Sequence, residues 1–324
     1  MSTPRYFHTA SILSDGNVLV AGGFSESGYL NSSELYNVTS DNWTTKGNMN
    51  VGRRLHTASM LANSQILVTG GYRSGGAISS AELYDASAKT WSMTGNMSTS
   101  RYYHITSVLT NGYVLVTGGV GSSAANSAEM YNPSTGTWIW TTNMSSSRYY
   151  HTATVLSNGK VLVSGGWYGS TASNGTELFD PSTGTWTQAA SMNIARHYHA
   201  ASLLTDGSVL VTGGVNLSIS FSSAEIYNPT TDTWTFTSNM NVGRNCHSAS
   251  VLASGKVLVT GGLLGSISLN SAELYDPSTG LWTFTDNMTI PRRCHIAIVL
   301  ANGAALVTDS YNASYLSNVE RYKE

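Results

Sequence analysis

Charged residues are scarce in this chain: 16 Lys and Arg plus 18 Asp and Glu make up 10% of 324 residues. Soluble domains usually contain about 25%. The surface must therefore be covered by Ser, Thr, Asn and Gly, a composition common on secreted and often glycosylated proteins. The net charge is −2 and no basic run occurs. This excludes nucleic acid as a partner, because a polyanion needs a clustered basic stripe.

Long apolar runs are also missing. No run approaches about 18 residues, the length needed to span a bilayer, so the sequence predicts no membrane insertion. The first residues, MSTPRYFH, lack the apolar stretch of a signal peptide. They already lie inside a repeat, and we expect the natural sequence to extend upstream.

Patterns typical of catalysis are absent as well. No Ser-His-carboxylate set stands outside the repeats described below, and Cys and His do not show metal-ligand spacing. No phosphate-binding loop accompanies a helix, and helical periodicity is not found. The sequence therefore predicts a protein that is not an enzyme and has no cofactor and no metal site.

What the sequence does contain is a repeat. Each unit has an Arg, a His three residues later, a Glu and an aromatic residue two positions after that Glu, and every unit but the last also has a Gly pair and a Trp. Successive histidines are 48 residues apart, with one interval of 47. The repeated histidines are His8, His56, His104, His151, His199, His247 and His295, and the arginines are Arg5, Arg53, Arg101, Arg148, Arg196, Arg244 and Arg292.

Each unit reads as four short strands. The first alternates polar and apolar residues, as in HTATVL, and the second, VLVTGG, is an apolar run typical of a strand buried on both faces. The third contains S-A-E-L-Y and the fourth T-W-T. Pairs such as Asp15-Gly16 tolerate positive φ at both turn positions and predict a tight hairpin between the first two strands.

Four antiparallel strands at this period are typical of a propeller blade. The period, the double Gly after an apolar strand and the spaced Tyr and Trp resemble the kelch family over essentially the whole chain, and no W-D dipeptide of a WD40 array occurs. The resemblance implies an all-β fold, a single seven-bladed kelch-type β-propeller domain over 1–324 with four-stranded antiparallel blades. Its units are 5–52, 53–100, 101–147, 148–195, 196–243, 244–291 and the incomplete 292–324.

The seventh unit departs from the pattern. Asp309-Ser310 replaces the Gly pair, and neither a Trp nor a fourth strand follows. We expect the seventh blade to lack its outer strand. An upstream segment, an open edge and a strand donated by another copy are the alternatives for this edge.

Residues that occur in every unit are expected to serve the scaffold, so we interpret the repeated Arg, Glu and His as structural. A weaker, local resemblance is to the propeller of galactose oxidase and related copper radical oxidases, where a Tyr-His pair ligates copper. The matching pairs are Tyr103-His104, Tyr150-His151 and Tyr198-His199. The eighth histidine, His197, lies two residues before the repeated His199, so no variable loop supplies a further His ligand. This disfavours a copper oxidase.

The two cysteines, Cys246 and Cys294, occupy equivalent positions in adjacent units. Equivalent positions in neighbouring blades could lie within disulfide reach, so a bond that locks the last complete blade to the seventh is one prediction. Two buried free thiols are the alternative. A disulfide would indicate an oxidising compartment.

Glycosylation and ligand binding are predicted on two further sets of residues. Asn-x-Ser/Thr sequons, several of which arise by chance in this composition, occur at Asn31, Asn37, Asn42, Asn96, Asn143, Asn174, Asn216, Asn287 and Asn312. Loops after the Gly pairs vary between units, and variable loops on a rigid scaffold commonly recognise ligands. Their candidate ligand-binding residues are Phe24, Tyr29, Tyr72, Arg73, Trp167, Tyr168, Phe221, Leu263 and Leu264.

The leading hypothesis is a non-enzymatic, secreted or cell-surface kelch propeller. It would bind a protein or glycan on its loop face, or assemble through the open seventh blade. An intracellular kelch adaptor for protein–protein interaction is the alternative, although adaptors of this kind usually carry a BTB or F-box domain. A copper radical oxidase is the third hypothesis.

Overall fold

A computed structural model of the chain describes residues 1–308, 311–312, 314–315 and 318–324. Asp309-Ser310, where the Gly pair of the seventh unit is replaced, lies outside the described residues. The described part is all-β, and none of its segments is a helix that could cross a membrane. It forms two compact units, which comprise residues 1–142 with 308–319 and residues 143–307 with 320–324.

The first unit contains three blades. Blade 1 comprises β1 (Thr9–Ile12), β2 (Val18–Ala21), β3 (Phe24–Ser25), β4 (Gly28–Tyr29), β5 (Ser33–Asn37) and β6 (Asn42–Lys46). Blade 2 comprises β7 (Thr57–Met60), β8 (Ile66–Thr69), β9 (Tyr72–Arg73), β10 (Gly76–Ala77), β11 (Ala81–Asp85) and β12 (Thr90–Met93). Blade 3 comprises β13 (Ile105–Val108), β14 (Val114–Thr117), β15 (Ala128–Asn132) and β16 (Thr137–Trp140).

Blades 4 to 6 lie in the second unit. Blade 4 comprises β17 (Thr152–Val155), β18 (Val161–Ser164), β19 (Trp167–Tyr168), β20 (Thr171–Ala172), β21 (Thr176–Asp180) and β22 (Thr185–Ala189). Blade 5 comprises β23 (Ala200–Leu203), β24 (Val209–Thr212), β25 (Val215–Asn216), β26 (Ile219–Ser220), β27 (Ala224–Asn228) and β28 (Thr233–Phe236). Blade 6 comprises β29 (Ser248–Val251), β30 (Val257–Thr260), β31 (Leu263–Leu264), β32 (Ile267–Ser268), β33 (Ala272–Asp276) and β34 (Leu281–Thr285).

In the residues that the structure describes, blade 7 has three main strands instead of four. It comprises β35 (Ile296–Val299), β36 (Ala305–Thr308), β37 (Tyr311–Asn312), β38 (Ser314–Tyr315) and β39 (Glu320–Tyr322). The sheet order is β35-β36-β39, whereas each of the other six blades is a four-stranded antiparallel sheet. The predicted seven-bladed propeller fold is confirmed, and so is the missing outer strand of the seventh blade.

The second strand of each blade lies in the core, as its apolar run predicts. All four residues of β8, for example, are buried, and the same holds for its counterparts in the other blades. Neighbouring blades within a unit pack through these strands. Leu19 of blade 1 thus shares a cluster with Ile66 and Val68 of blade 2, and Leu210 of blade 5 shares one with Val257 of blade 6.

The Trp of the fourth strand covers the aromatic residue of the third. Tyr131 and Trp138 have ring centroids 5.1 Å apart, and the other complete blades contain the same pair at 5.0 to 5.1 Å. The indole N–H of Trp138 donates to the carbonyl of Gly95 in the preceding blade at 2.7 Å. The repeated Trp therefore closes its own sheet and ties it to its neighbour.

The turn between the first two strands differs from the prediction in one detail. Positive φ occurs at Gly16 (81°) and not at Asp15. Leu13 pairs with Asn17, and the Asp15 carboxylate accepts the backbone N–H of Asn17 at 2.9 Å. The loop thus has three residues with Gly in the left-handed position, and the acidic side chain caps the turn.

The Gly pair is required by close approach of the next blade. Gly165 has φ +62°, and a Cβ there would lie 2.6 Å from the carbonyl oxygen of Arg196 and 2.7 Å from the His199 ring. Gly169 has a similar φ of +67°, but no atom lies within 4 Å of its Cβ position. A side chain at Gly169 would therefore meet backbone strain alone, whereas one at Gly165 would also clash with the neighbouring blade.

We predict that Gly165→Ala destabilises the protein by at least about 2 kcal/mol more than Gly169→Ala. Both substitutions incur the left-handed penalty of about 1–2 kcal/mol, but only the first forces neighbouring backbone to move. Denaturant unfolding of the two variants measures the difference. Equal losses would show that blade contact at Gly165 is unimportant.

Candidate functional site

The repeated charges form buried ion pairs. In each blade the Arg side chain is fully or almost fully buried, and it contacts the Glu of the third strand. Six of the seven distances lie between 2.6 and 3.0 Å. The pairs are Arg5–Glu34, Arg53–Glu82, Arg101–Glu129, Arg148–Glu177, Arg196–Glu225, Arg244–Glu273 and Arg292–Glu320. The structural interpretation of Arg and Glu is confirmed.

We predict that Glu177→Gln destabilises the protein by about 3–5 kcal/mol, because it leaves the buried Arg148 guanidinium without a counter-charge. The matched control is Asp180→Asn, which breaks the surface pair with Lys160 at 3.3 Å, where the side chains are 40% and 29% exposed. That loss should stay below about 1 kcal/mol. Equal effects in urea unfolding would contradict the role assigned to the buried pair.

The repeated histidines are buried and link neighbouring blades. The Nε2 atom of His56 lies 3.0 Å from the Thr9 hydroxyl of the preceding blade, and that of His199 lies 3.0 Å from the Thr152 hydroxyl. Burial, together with the nearby Arg5 charge, lowers the pKa of His8 to about 3. Burial likewise lowers the pKa of His151 and His295 to about 3, and that of His56, His199 and His247 well below 6.5. These imidazoles are therefore neutral at pH 7.

We predict that acid destabilises the fold from about pH 6.5 downward, before most carboxylates titrate. The unfolded chain binds protons on these histidines below 6.5 while the folded chain does not, so each one lowers stability by about 1.4 kcal/mol per pH unit. His199→Gln removes one histidine that binds a proton in the unfolded chain and not in the folded one. Its free energy of unfolding should fall less steeply between pH 6 and pH 4 than that of the wild type. An unchanged slope would refute this.

The residue before each repeated His crosses from blade to blade. These blade-linking residues all have a left-handed backbone, with φ between 50° and 58°, and they are Phe7, Leu55, Tyr103, Tyr150, Tyr198, Cys246 and Cys294. The N–H of Leu55 donates to the Phe7 carbonyl at 3.1 Å, and that of Cys246 donates to the Tyr198 carbonyl at 2.9 Å. The equivalent hydrogen bond, from the N–H of Cys294 to the Cys246 carbonyl at 2.7 Å, brings the two cysteines together.

The predicted disulfide is present. Cys246 and Cys294 are bonded, with Cα atoms 4.8 Å apart, so the alternative of two free thiols is wrong. The bond links the last complete blade to blade 7. Tyr150 and Tyr198 occupy the same two positions in blades 4 and 5, and their rings stack with centroids 3.8 Å apart.

The Tyr-His pairs that resemble a copper site do not come together with further ligands. In the described part of the chain no three His, Cys, Asp or Glu side chains lie close enough to hold a metal ion. His104 directs Nε2 to the Thr57 hydroxyl at 2.9 Å, and His199 directs it to Thr152. These imidazoles therefore serve contacts between blades.

The loop residues predicted to bind a ligand fall into separate groups. In the first unit Phe24, Tyr29 and Tyr72 surround one residue that the sequence analysis missed, Arg54. Its guanidinium carbon lies 4.8 Å from the Phe24 ring centroid and 5.5 Å from each of the two tyrosine centroids. Its Nη1 donates to the Tyr6 hydroxyl at 3.1 Å. We call these five residues the Arg54 cluster.

Arg54 follows the repeated Arg53 directly, and this position varies between blades. It pairs with the first residue after the Gly pair, as in the bridges Arg54↔Tyr72 and His197↔Val215. A comparison of this one position across the repeats could have identified Arg54 and His197. Arg73, which was predicted as a ligand-binding residue, is exposed beside the cluster.

The second unit places its predicted loop residues differently. Trp167 packs against His197 with centroids 4.6 Å apart, and burial lowers the pKa of His197 to about 4. Phe221 lies under the Arg196 guanidinium at 5.6 Å, so it covers a scaffold residue. Tyr168 and Leu264 are exposed, whereas Leu263 is half-buried.

The sequons differ in accessibility. Asn42, Asn96, Asn143 and Asn287 are exposed, whereas Asn37 and Asn216 are half-buried. The exposed Asn31 and Asn174 use their side-chain amides, which donate to the carbonyls of Met49 and Met192 at 3.1 and 2.9 Å. The Asn312 side chain lies outside the described residues.

Comparison with known proteins agrees with this architecture. Residues 93–262 match the family model described as the KLHDC2/KLHL20/DRC7 Kelch-repeats domain, and 4–50, 53–98 and 244–289 each match a Kelch motif. No curated protein is similar enough to match the chain. The structure resembles that of a fungal alcohol oxidase of the AA5 family in complex with copper, with a TM-score of 0.80 and 22% identity. The match covers 96% of this chain and 71% of that one, and at this identity it shows the fold alone.

Proposed function

Since this chain belongs to the kelch-repeat family, we propose that it is a non-enzymatic, extracellular binding module that recognises a protein partner through the Arg54 cluster. The kelch propeller fold supports a protein-interaction module. The repeated Arg side chains already pair with Glu within each blade, and all seven repeated His side chains are buried. The cluster is the observation that carries the proposal.

The chemistry of the Arg54 cluster suits protein recognition. Arg and Tyr are enriched among the residues that contribute most to protein interfaces, and rigid aromatic rings bury area at low entropic loss. The rings hold the guanidinium of Arg54 by cation–π contact, and the Tyr6 hydroxyl fixes its orientation. The cluster is therefore organised before a partner arrives, which lowers the entropy loss of binding.

Capture of partners from the extracellular fraction of the source organism tests the proposal. Wild-type protein and Lys160→Ala, which alters a turn of the second unit, should recover the same partner. Combined Arg54→Ala and Tyr72→Ala should reduce its recovery at least tenfold, because the central cation and one ring are lost. Equal recovery by the cluster variant would refute the site, and recovery of no specific partner would refute the function.

An extracellular location is supported by three features. The surface has few charges, a disulfide joins two blades, and four sequons have exposed asparagines. We expect the protein from its natural source to exceed 34.5 kDa, to lose mass with glycosidase and to contain the Cys246–Cys294 bond. A bare mass with reduced thiols would instead favour the intracellular adaptor.

Self-association is a second candidate function, favoured by the edge of blade 7. The strand β39 pairs with β36 on one side, and the described residues provide no strand for its other side. An open edge can accept a strand from a second copy. Sedimentation that finds a monomer at high concentration would exclude this candidate.

Glycan binding remains an alternative for the second unit. Trp167, His197 and the stacked pair Tyr150–Tyr198 form a continuous group of rings. Aromatic faces beside polar groups are common in sites for small neutral ligands. Binding of a neutral oligosaccharide that is lost in Trp167→Ala and kept in Phe24→Ala, the equivalent position of blade 1, would support this alternative.

A further inference from the structure

The hairpins of blades 4, 5 and 6 expose large apolar side chains at their tips. Each hairpin has a two-residue turn, and the apolar residues either flank these turns or lie within them. The exposed fractions are 58% for Tyr168, 72% for Leu217, 62% for Ile219, 41% for Leu264 and 65% for Ile267. We call these five residues the apolar tips.

The hairpins stand side by side in the second unit. The hydroxyl of Ser220 in blade 5 accepts the backbone N–H of Gly265 in blade 6 at 3.4 Å. His197 connects the other pair, because it packs on Trp167 of blade 4 and bridges to Val215 of blade 5. The apolar tips therefore form a row along one end of this unit.

Folding does not require these residues. The equivalent hairpins of blades 1 and 2 are built on the same plan, yet their turns contain Glu26-Ser27 and Ser74-Gly75, and Arg73 flanks the second turn. Polar and charged tips are therefore compatible with the fold. Among the hairpins whose side chains the structure describes, apolar tips occur in blades 4, 5 and 6.

Leu217 also has an unfavourable backbone. Its φ is +46° and that of Ser218 is +71°, whereas the corresponding turns of blades 4 and 6 begin with Gly169 and Gly265. Leucine is strained in this left-handed region, where glycine is not. Because Leu217 is largely exposed, it gains little packing within the chain in return. Packing within the chain therefore does not account for a Leu at this position.

The charge of this end limits what that contact can be. The three loop segments, WYGSTASN, VNLSISFS and LLGSISLN, contain no charged residue. The turns between the first two strands of the same blades carry Lys160, Asp206 and Lys256. The second unit is thus apolar at its hairpin tips and charged at these turns, and the tips suit a neutral, apolar surface.

The apolar tips are five side chains on three separate hairpins, which is a narrow basis for a stable protein interface. Such an interface buries about 800 Å² per partner around a closely packed core. Single Leu and Ile side chains on hairpin tips, separated by Ser and Gly, instead suit the boundary between headgroups and acyl chains, where apolar groups are buried to about 5–10 Å. Tyr is also enriched at this depth.

We propose that the apolar tips dock the second unit onto the interfacial layer of a zwitterionic lipid bilayer. Contact of this kind needs no spanning segment, in keeping with the absence of long apolar runs. With no basic residue on the three hairpins, attraction to anionic lipid should contribute little. Binding should therefore depend weakly on salt and on lipid charge.

Flotation of the full chain with phosphatidylcholine vesicles tests the proposal. We expect wild-type protein to float with the vesicles at both 0.1 M and 1 M salt. Combined Leu217→Ser, Ile219→Thr and Ile267→Thr should lower the partition coefficient by roughly tenfold or more, since most of the inserted aliphatic area is lost. The matched control is Phe236→Ser with Phe284→Ser, which removes exposed apolar side chains from the outer strands.

Three results would overturn the proposal. Wild-type protein could fail to float, it could float only with anionic vesicles at low salt, or the outer-strand control could lose as much binding as the tip variant. Loss of a captured protein partner in the tip variant with unchanged flotation would assign the tips to a protein contact instead. Combined Arg54→Ala and Tyr72→Ala should float like the wild type, so failure of the proposed protein-binding function would be recognised separately.

Discussion

The buried Arg–Glu pair is the interaction on which the order of each blade depends. In blade 3 the Arg101 guanidinium donates to the carbonyl oxygens of Gly118 and Ser127 and to Glu129, while Glu129 accepts the backbone N–H of Ser98. One pair thus ties together the segment entering the blade, the Gly pair and the third strand. Because a buried charge without its partner is strongly unfavourable, the strands are held to a single register.

The residues that maintain the blades are therefore different from those available to bind a partner. The seven pairs use 14 of the 34 charged residues, counted as 7 + 7 out of 16 + 18. The repeated histidines are likewise buried in contacts between blades. The residues that differ between blades lie in the hairpins and directly after each repeated Arg. The two units use it differently: the first gathers aromatic rings around Arg54, and the second exposes aliphatic tips.

Several features of the fold could be predicted because they depend on local pattern repeated many times. A buried strand needs an apolar run, and a blade needs a third strand that places Glu beside Arg, so both follow from spacing. The equivalence of Cys246 and Cys294 allowed the disulfide to be predicted as one of two alternatives, and the structure decided between them. The turn at Asp15-Gly16 was predicted less well, since its loop length depends on pairing between Leu13 and Asn17. Arg54 was missed because its significance depends on rings from a neighbouring blade.

The sequence by itself determined the structure of a blade, the number of blades and the residues that hold each blade together. The reason is that apolar, charged and glycine residues recur at the same positions of the repeats. Only the tertiary structure decided which variable residues meet. Phe24 and Tyr72 are 48 residues apart, yet both contact the Arg54 guanidinium, and Leu217 gains its exposure from the turn it occupies. Such contacts depend on how adjacent blades stack, and repeat spacing does not specify which side chains then face each other.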